Sequence, residues 1–492
     1  MGHAQPEVEG REEIMYKKTM AAIVFLTLLV WAASAQDAKT VISNASKAMG
    51  ADNLKSIEYS AVGADFAFGQ AMNPNSPWPK FIDKTYTRAI NFETPASRLS
   101  RVRMQGEYPQ HGGGGQPLIG EQTQNQVIVV NANTPWAQQL EIWMSPHGFL
   151  KAASMKSATG KTQSVAGKKY NVVTFMGDNK AAVTGYINEQ NLVEKVETLI
   201  DNNVLGDMSF EALYSEYKDF GGVKFPTRIV QRQGGFPILD LAVLEVKPNA
   251  PANIQPAQAQ AGAPPAPTSS QKLGDGVYLI LPAYAAVAVD FKDGIVVIEG
   301  PQSEERASAI IAEAKKVIPN KPIKYVINTH HHFDHSGGLR TFVAEGATIV
   351  THESNRAYYE RIFAIPHTLG PDKLSQAKKK PSFETMTDKK VMTDGNHVIE
   401  LYQTQGNFHN DGLIIAYLPK EKVLVEADSF NPPPQPNAPA AAVINLNTLN
   451  LYDNIQRLKL DVQTIVPIHY PADARRVTMA ELMRAIGRAT TP

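Results

Sequence analysis

From Lys39 to about Pro248, short runs of apolar residues alternate with polar ones and are broken by Gly, Asn and Pro. A period of two predicts strands joined by tight turns. Tyr170 to Phe175, Ala181 to Ile187 and Leu192 to Ile200 are separated by Gly-Asp-Asn and Asn-Glu-Gln-Asn, so they read as successive antiparallel strands. A helix is predicted from Val41 to Met49, stopped by Gly50. The four glycines within His111 to Gly115 predict a flexible loop.

Between Pro248 and Ser270 the chain turns to Pro, Ala, Gln and Ser without apolar periodicity, the composition of an extended linker. Beyond it, strands are predicted at Gly276 to Leu281, Ala285 to Asp290, Gly294 to Glu299 and Ile323 to Asn328. A helix from Glu304 to Ile318 is capped by Ser303, with acids first and Lys315 and Lys316 last, as the helix dipole favours. A further helix of about ten residues is predicted to begin near Ser336. Alternating strand and helix units indicate that this part mixes α and β structure. The fold class is therefore α+β: a mainly antiparallel β domain at 36–248, a linker at 249–271 and an α/β-type domain at 272–492. Leu451, Ile455 and Leu458 at helical spacing, and the capping box Thr478 to Glu481 before Leu482 and Ile486, are packing elements.

Composition narrows the possible chemistry. At 492 residues the chain exceeds one compact core, and 48 basic side chains balance 48 acidic ones, so no steering field for nucleic acid exists. The absence of cysteine removes disulfides, thiolate nucleophiles and cysteine-ligated zinc together. Any metal must be held by imidazole and carboxylate. Lys17 and Lys18 precede an apolar run from Met20 to Ala32, followed by Ala33-Ser34-Ala35, which predicts a signal peptide at 1–35 cleaved after Ala35. About 13 apolar residues fall short of the roughly 20 that span a bilayer as a helix, so no stable membrane span is expected after cleavage. Glu7, Glu9, Glu12 and Glu13 spoil the basic leader and point to Met15 as the start. The expected location is periplasmic or extracellular, and the expected partner is a small-molecule substrate, with no nucleic acid and an open oligomeric state.

The segment Thr329 to Gly338 reads T-H-H-H-F-D-H-S-G-G. It follows a buried strand, and loops at the carboxyl ends of strands are where α/β folds place chemistry. Imidazoles gain nothing by clustering, so this density requires a metal or a strong polar network. Neutral imidazole and carboxylate suit zinc, iron and manganese.

This segment resembles the metallo-β-lactamase superfamily, whose His-x-His-x-Asp-His signature is matched by His330, His332, Asp334 and His335, with His331 in the first variable position. The resemblance runs from Lys272 to the C-terminus: Gly406-Asn407-Phe408-His409 is similar to the family's next histidine, Asp428 to its bridging carboxylate and His469 to its last histidine. It implies a four-layer αβ/βα sandwich with one metal on His330, His332 and His409, a second on Asp334, His335 and His469, and Asp428 between them. Two zinc ions are implied, with iron or manganese as alternatives. His331, His352, His367 and His397 are left as non-ligands. The cysteine-bearing β-lactamase subclass is excluded, and Ala427 replaces the family's usual glycine before the bridging position, so Ser429 is an alternative that orients water. Within the β domain, Tyr214 to Asp219, Gly221 to Pro226 and Thr227 to Val230 resemble a feature of lipoprotein-carrier-like half-barrels; the alternative is a generic accessory domain that shields the catalytic one.

The implied activity is hydrolysis of an ester, lactone or lactam by a metal-bound hydroxide, since paired cations lower the pKa of a shared water towards about 7. Asp334 is the expected proton acceptor. Two alternatives stay open: a mononuclear iron enzyme like persulfide dioxygenases, using His330, His409 and Asp428, and a lipid or acyl carrier with a subsidiary metal site. Glu353 to Asp394 and Asn431 to Ala442 are candidate lids or walls, or plain surface connections.

Overall fold

The computed structural model describes residues 37–255, 267–282 and 284–488. The predicted signal segment lies outside them. Strand alternation in the first half produces one 11-stranded, wholly antiparallel sheet. It runs from Gln122–Val129 at one edge, through Ala96–Gln105, Lys80–Asn91 and Ser56–Phe66, to Phe236–Pro248, Val223–Gln233 and Gly206–Phe220. It continues through Val193–Asn202, Ala182–Ile187 and Lys168–Met176 to Thr159–Val165. The first strand in sequence pairs with the last, Ile57 opposite Pro248, so the chain enters and leaves the domain side by side.

Three helices cover one face of this sheet. Ala38–Met49 is capped by the Asp37 side chain and ends where Gly50 turns left-handed, three residues longer at its start than predicted. Trp136–Trp143 and Pro146–Met155 were absent from the strand reading. Their apolar residues Leu140, Phe149 and Leu150 pack with Phe175, Phe210 and Phe225 from the sheet, and this helix-on-sheet burial forms the domain core.

The predicted linker 249–271 is shorter than its composition suggests. Ala252 and Ile254 pack on Ala89 and Ala96, the Asn91 amide donates to the Ala252 carbonyl at 3.1 Å, and Ser269 already begins the strand Ser269–Gly274. Small apolar residues in a proline-rich stretch thus find a surface to cover.

The second half carries two sheets. The seven-stranded sheet runs in sequence order from Ser269–Gly274 to Phe383–Met386, its last four strands parallel. The six-stranded sheet runs from Lys389–Thr393 to Val477–Thr478, with Val423–Glu426 and Thr464–Pro467 parallel. Period-two burial explains the layering: Val287 and Val289 face the second sheet, while Ala286 and Ala288 face helices. Ile298, Leu418, Val425 and Val466 fill the space between sheets, where truncating Ile298 or Leu418 to alanine costs roughly 2–5 kcal/mol. Glu304–Val317, capped by Ser303 as predicted, covers the first sheet's outer face. Leu446–Leu458 and Met479–Ala485 cover the second sheet's outer face through Leu451, Ile455 and Leu482. The result is the predicted helix, sheet, sheet, helix sandwich.

The two halves meet along a seam. Asp207 of the first accepts from the Thr368 and Leu369 amides at 2.8 and 2.9 Å, Val204 joins the apolar cluster of the second, and Phe68 meets Phe333 edge-on at 5.1 Å. No helix among the described residues is long and apolar enough to cross a membrane.

Candidate metal centre

Each candidate residue sits just beyond the carboxyl end of a strand. Strand Ile323–Ile327 is flanked on both sides by parallel neighbours and delivers Asn328, whose amide nitrogen donates to the His330 and His335 carbonyls at 2.7 and 3.1 Å. That clamp folds the histidine run back on itself. The predicted ten-residue helix near Ser336 is instead a single turn, Phe333–Ser336, and a separate helix, Leu339–Glu345, because Gly337 and Gly338 interrupt it. His409 follows strand Val398–Gln403, with its amide held by the Asn407 side chain at 2.7 Å. Asp428 follows Val423–Glu426 in a left-handed conformation, φ 62°, which turns its carboxylate into the cluster. His469 follows Thr464–Pro467.

Folding brings all seven together in two adjacent groups, His330, His332, His409 and Asp428, and Asp334, His335, His469 and Asp428. Within each, one nitrogen or oxygen per residue lies within 4.8 Å of the others. The His330 and His409 Nε2 atoms are 3.1 Å apart, those of His335 and His469 3.3 Å. Asp428 Oδ2 lies 2.7 Å from His335 Nε2 and 3.3 Å from His409 Nε2, yet without the alignment of a hydrogen bond. Asp428 Oδ1 lies 3.0 Å from His469 Nε2.

The outer nitrogens of these rings reveal which atoms face inward. Thr329 donates its hydroxyl to Glu299 Oε2 at 2.6 Å and therefore accepts from His330 Nδ1, 3.1 Å away. His335 Nδ1 lies 3.2 Å from Glu299 Oε2, which can only accept. His332 Nε2 lies 2.8 Å from the Ala71 carbonyl, so it carries the proton. His330 and His335 thus turn Nε2 lone pairs inward, and His332 turns its otherwise unpartnered Nδ1. Backing of imidazole ligands by carboxylates and carbonyls is how proteins orient metal-binding histidines.

The electrostatics of His330 and His332 agrees with that pattern, whereas at His335 burial favours the neutral ring but Asp334 and Asp428 outweigh it and hold the imidazole well above the usual histidine range. Burial, reinforced by neighbouring imidazoles, pushes His330 and His332 well below the usual histidine range. Burial opposes charge on Asp428 too, but His335 and His409 outweigh it and hold the carboxyl well below its ordinary value. Asp334 is lowered in the same way by His335. Around His330, His332 and Asp428 buried lone pairs converge and repel one another, a cost a cation would remove, and around His335 a cation would take the place of the proton that Asp334 and Asp428 favour. The residues therefore fit a metal cofactor.

Four participants were not foreseen. Glu299 and Thr329 form the backing shelf, and Glu299, at the end of the predicted strand 294–299, was accessible to the same strand-end reasoning. Tyr284 donates to Asp334 Oδ2 at 3.2 Å and stacks 4.6 Å from His469; burial and the Asp334 charge keep its hydroxyl protonated far above neutrality. Gln70 comes from the N-terminal domain, and its amide donates to Asp334 Oδ1 at 2.8 Å. No local pattern marks Tyr284 or Gln70. The loop bearing Gln70 and Ala71 is seated by Gly69, whose carbonyl accepts from Phe333 N at 3.3 Å.

His331 faces away from the cluster, 3.0 Å from the Asn410 amide and edge-on to Tyr358. His352 caps a helix, while His367 and His397 lie by Asp372 and the Asp275 carbonyl. Ser429 uses its amide on Glu426. Within the candidate lid or wall at 353–394, Tyr359 supports the histidine run from behind, donating to Asn328 Oδ1 at 2.6 Å. The glycine run at 111–115, expected to be flexible, is tied to the second domain: Gly112 N donates to the Phe408 carbonyl at 2.8 Å and the Asn445 amide to the Gly115 carbonyl at 2.7 Å. A Cβ at Gly115 would lie 2.3 Å from the Asp428 carbonyl, so only glycine permits this approach.

Residues 285–469 match the family model of the metallo-beta-lactamase superfamily, and the C-terminal domain belongs to that superfamily. A linear primary-alkylsulfatase of Pseudomonas sp. (strain ATCC 19151) is 33% identical over 57 residues, 12% of this chain and 11% of that enzyme. The chain thus matches about a tenth of that relative's length. Similar solved structures include a metallo-beta-lactamase from Pontibacter korlensis, 20% identical over 45% of this chain and 97% of that one, TM-score 0.33. Another is the metallo-beta-lactamase FIM-1 from Pseudomonas aeruginosa, 16% identical over 45% and 95%, TM-score 0.33.

Proposed function

We propose that this protein is an exported, periplasmic or extracellular hydrolase that holds two zinc ions and cleaves an ester, lactone or lactam bond. His330, His332 and His409 would hold one ion, Asp334, His335 and His469 the other, with Asp428 between them. The observation that carries this reading is the convergence of seven donors on two adjacent points, with the outer nitrogens of His330, His332 and His335 each occupied by a hydrogen-bond partner. Bound there, paired cations polarise an electrophilic oxygen and acidify water.

The chain's own groups divide the remaining work. Asp334, held between Gln70 and Tyr284, accepts a hydrogen bond from the attacking water and fixes its direction. Tyr284, half-buried and protonated at neutral pH, has one hydroxyl proton, which it gives to Asp334 or, turned away from it, to an oxygen that gains charge. Asp334 and His469 keep about a quarter of their side-chain surface exposed, whereas His330, His335 and His409 keep none, so substrate approaches from the Asp334 and His469 side. The printed activity of the Pseudomonas relative adds a sulfate ester to the candidates.

The test is metal content of the purified, mature protein together with a panel of carboxylic ester, lactone, cephalosporin and alkyl sulfate. About two zinc ions per chain and hydrolysis of at least one member are expected. One iron per chain and no hydrolysis would overturn the proposal and favour the mononuclear iron reading.

A further inference from the structure

A second feature of the seam lies beside the metal-ligand loops. A cavity of about 370 Å³ opens between the two domains. One wall is the N-terminal segment around Tyr108, Leu118 and Ile119, the other the segment from Phe430 to Ile444. Its lining is mostly apolar and proline-rich, with Gln110, Gln116, Asn431 and Asn447 among its polar members, and among the described residues it contains no lysine or arginine. The single carboxylate, Glu481, is already paired with Arg475 at 3.2 Å. Tyr108, Ile119, Val443 and Ile444 are 69%, 60%, 42% and 37% exposed, a concentration of large apolar side chains around one opening. Scattered exposed apolar residues need no explanation, but a contiguous set at a cavity mouth marks a binding surface.

The cavity's walls border the ligand-bearing loops. Phe408 precedes His409, Phe430 lies two residues after Asp428, and both line the cavity. Gly115, which precedes the lining residues Gln116 to Ile119, backs directly onto Asp428. With consecutive Cα atoms about 3.8 Å apart, the backbone of the lining residue Phe430 lies within about 8 Å of that of Asp428.

We propose that this cavity binds the apolar part of the substrate, an uncharged alkyl or acyl chain whose reactive end lies at the metal centre. The inference rests on the hydrolytic reading above and specifies its substrate class. No cation lines the cavity among the described residues, and Arg475 and Arg484 behind it are spent on the Pro433 and Pro436 carbonyls, whereas each methylene that leaves water gains affinity of up to about fourfold. Both domains contribute walls, so specificity is a property of their docking.

The experiment compares 4-nitrophenyl acetate, butanoate, hexanoate and octanoate on the full-length mature protein, alongside Ile119→Asp and Ile444→Asp. A rise in kcat/KM of about tenfold or more from acetate to octanoate is expected, and a fall in that ratio in both variants. In parallel, the neutral apolar fluorophore N-phenyl-1-naphthylamine is titrated and displaced with decan-1-ol, with weaker binding expected in the variants. Hydrolysis of all four esters at one kcat/KM, or no displaceable fluorophore binding, overturns the inference while leaving the hydrolytic reading intact. Absence of ester hydrolysis with variant-sensitive, displaceable binding counts against ester cleavage and supports the cavity assignment. Circular dichroism of the variants separates loss of the cavity from loss of the fold.

Discussion

His332 donates its Nε2 proton to the Ala71 carbonyl, 2.8 Å away and in the other domain. A carbonyl can only accept, so the contact leaves His332 Nδ1 as the lone pair facing the cluster.

The seat of that carbonyl is Gly69. Its φ is +74°, and a Cβ there would lie 2.4 Å from the Phe333 ring, so Gly69→Ala forces the loop off Phe333 and draws Ala71 away from His332. Chelator competition should show at least tenfold weaker metal binding in Gly69→Ala, the range for losing an outer hydrogen-bond partner. Wild-type affinity in a folded variant would falsify the coupling.

Glu299 serves two rings at once, His335 directly and His330 through Thr329. Glu299→Gln keeps the shape but replaces one accepting oxygen with a donor. Metal affinity should fall about 10- to 100-fold while the far-ultraviolet circular dichroism spectrum is retained.

Asp334→Asn removes an accepting oxygen from the approach side of the cluster. Turnover should drop about 10²- to 10⁴-fold, the usual contribution of a positioned proton acceptor, with at least one metal per chain retained. Unchanged turnover would remove Asp334 from the mechanism.

The seven donors converge only in the folded chain, so a metal held by all of them would favour the folded state. Zinc at a thousandfold excess over its dissociation constant should therefore stabilise the protein by about 4 kcal/mol, seen as a rise in Tm over the chelated protein. His330→Ala should show a much smaller rise.

His147 offers a pH test far from the centre. It is fully buried, stacked on Phe225, and burial lowers its pKa from 6.5 to about 4. Between those values the unfolded chain binds a proton that the folded chain refuses, so stability falls as pH drops from about 6.5 to 4, by at most about 3 kcal/mol. His147→Gln lacks this penalty. Urea midpoints of the metal-free proteins should therefore converge on acidification; a constant gap from pH 7 to 4.5 would contradict the assignment.

Much of this was legible because its signals are local. Period-two alternation marked the strands of both domains, Ser303 and Gly50 marked helix ends, and the seven candidate ligands stand in strand-end loops. The helices at 136–155 escaped because they lie in the middle of a strand-rich stretch. Tyr284, Gln70 and Ala71 reach the cluster only through tertiary approach. The glycine run at 111–115 read as slack, yet the same missing side chains let it press against Asp428.

One consequence follows from the seam. The contact that gives His332 its lone pair also joins the two domains, so a metal held there would be coupled to docking, and such coupling is reciprocal. On that reading whatever strengthens docking would tighten the grip on metal, and a loaded centre would act as a rivet between halves. A gene fragment encoding either half alone would inherit only part of a catalyst.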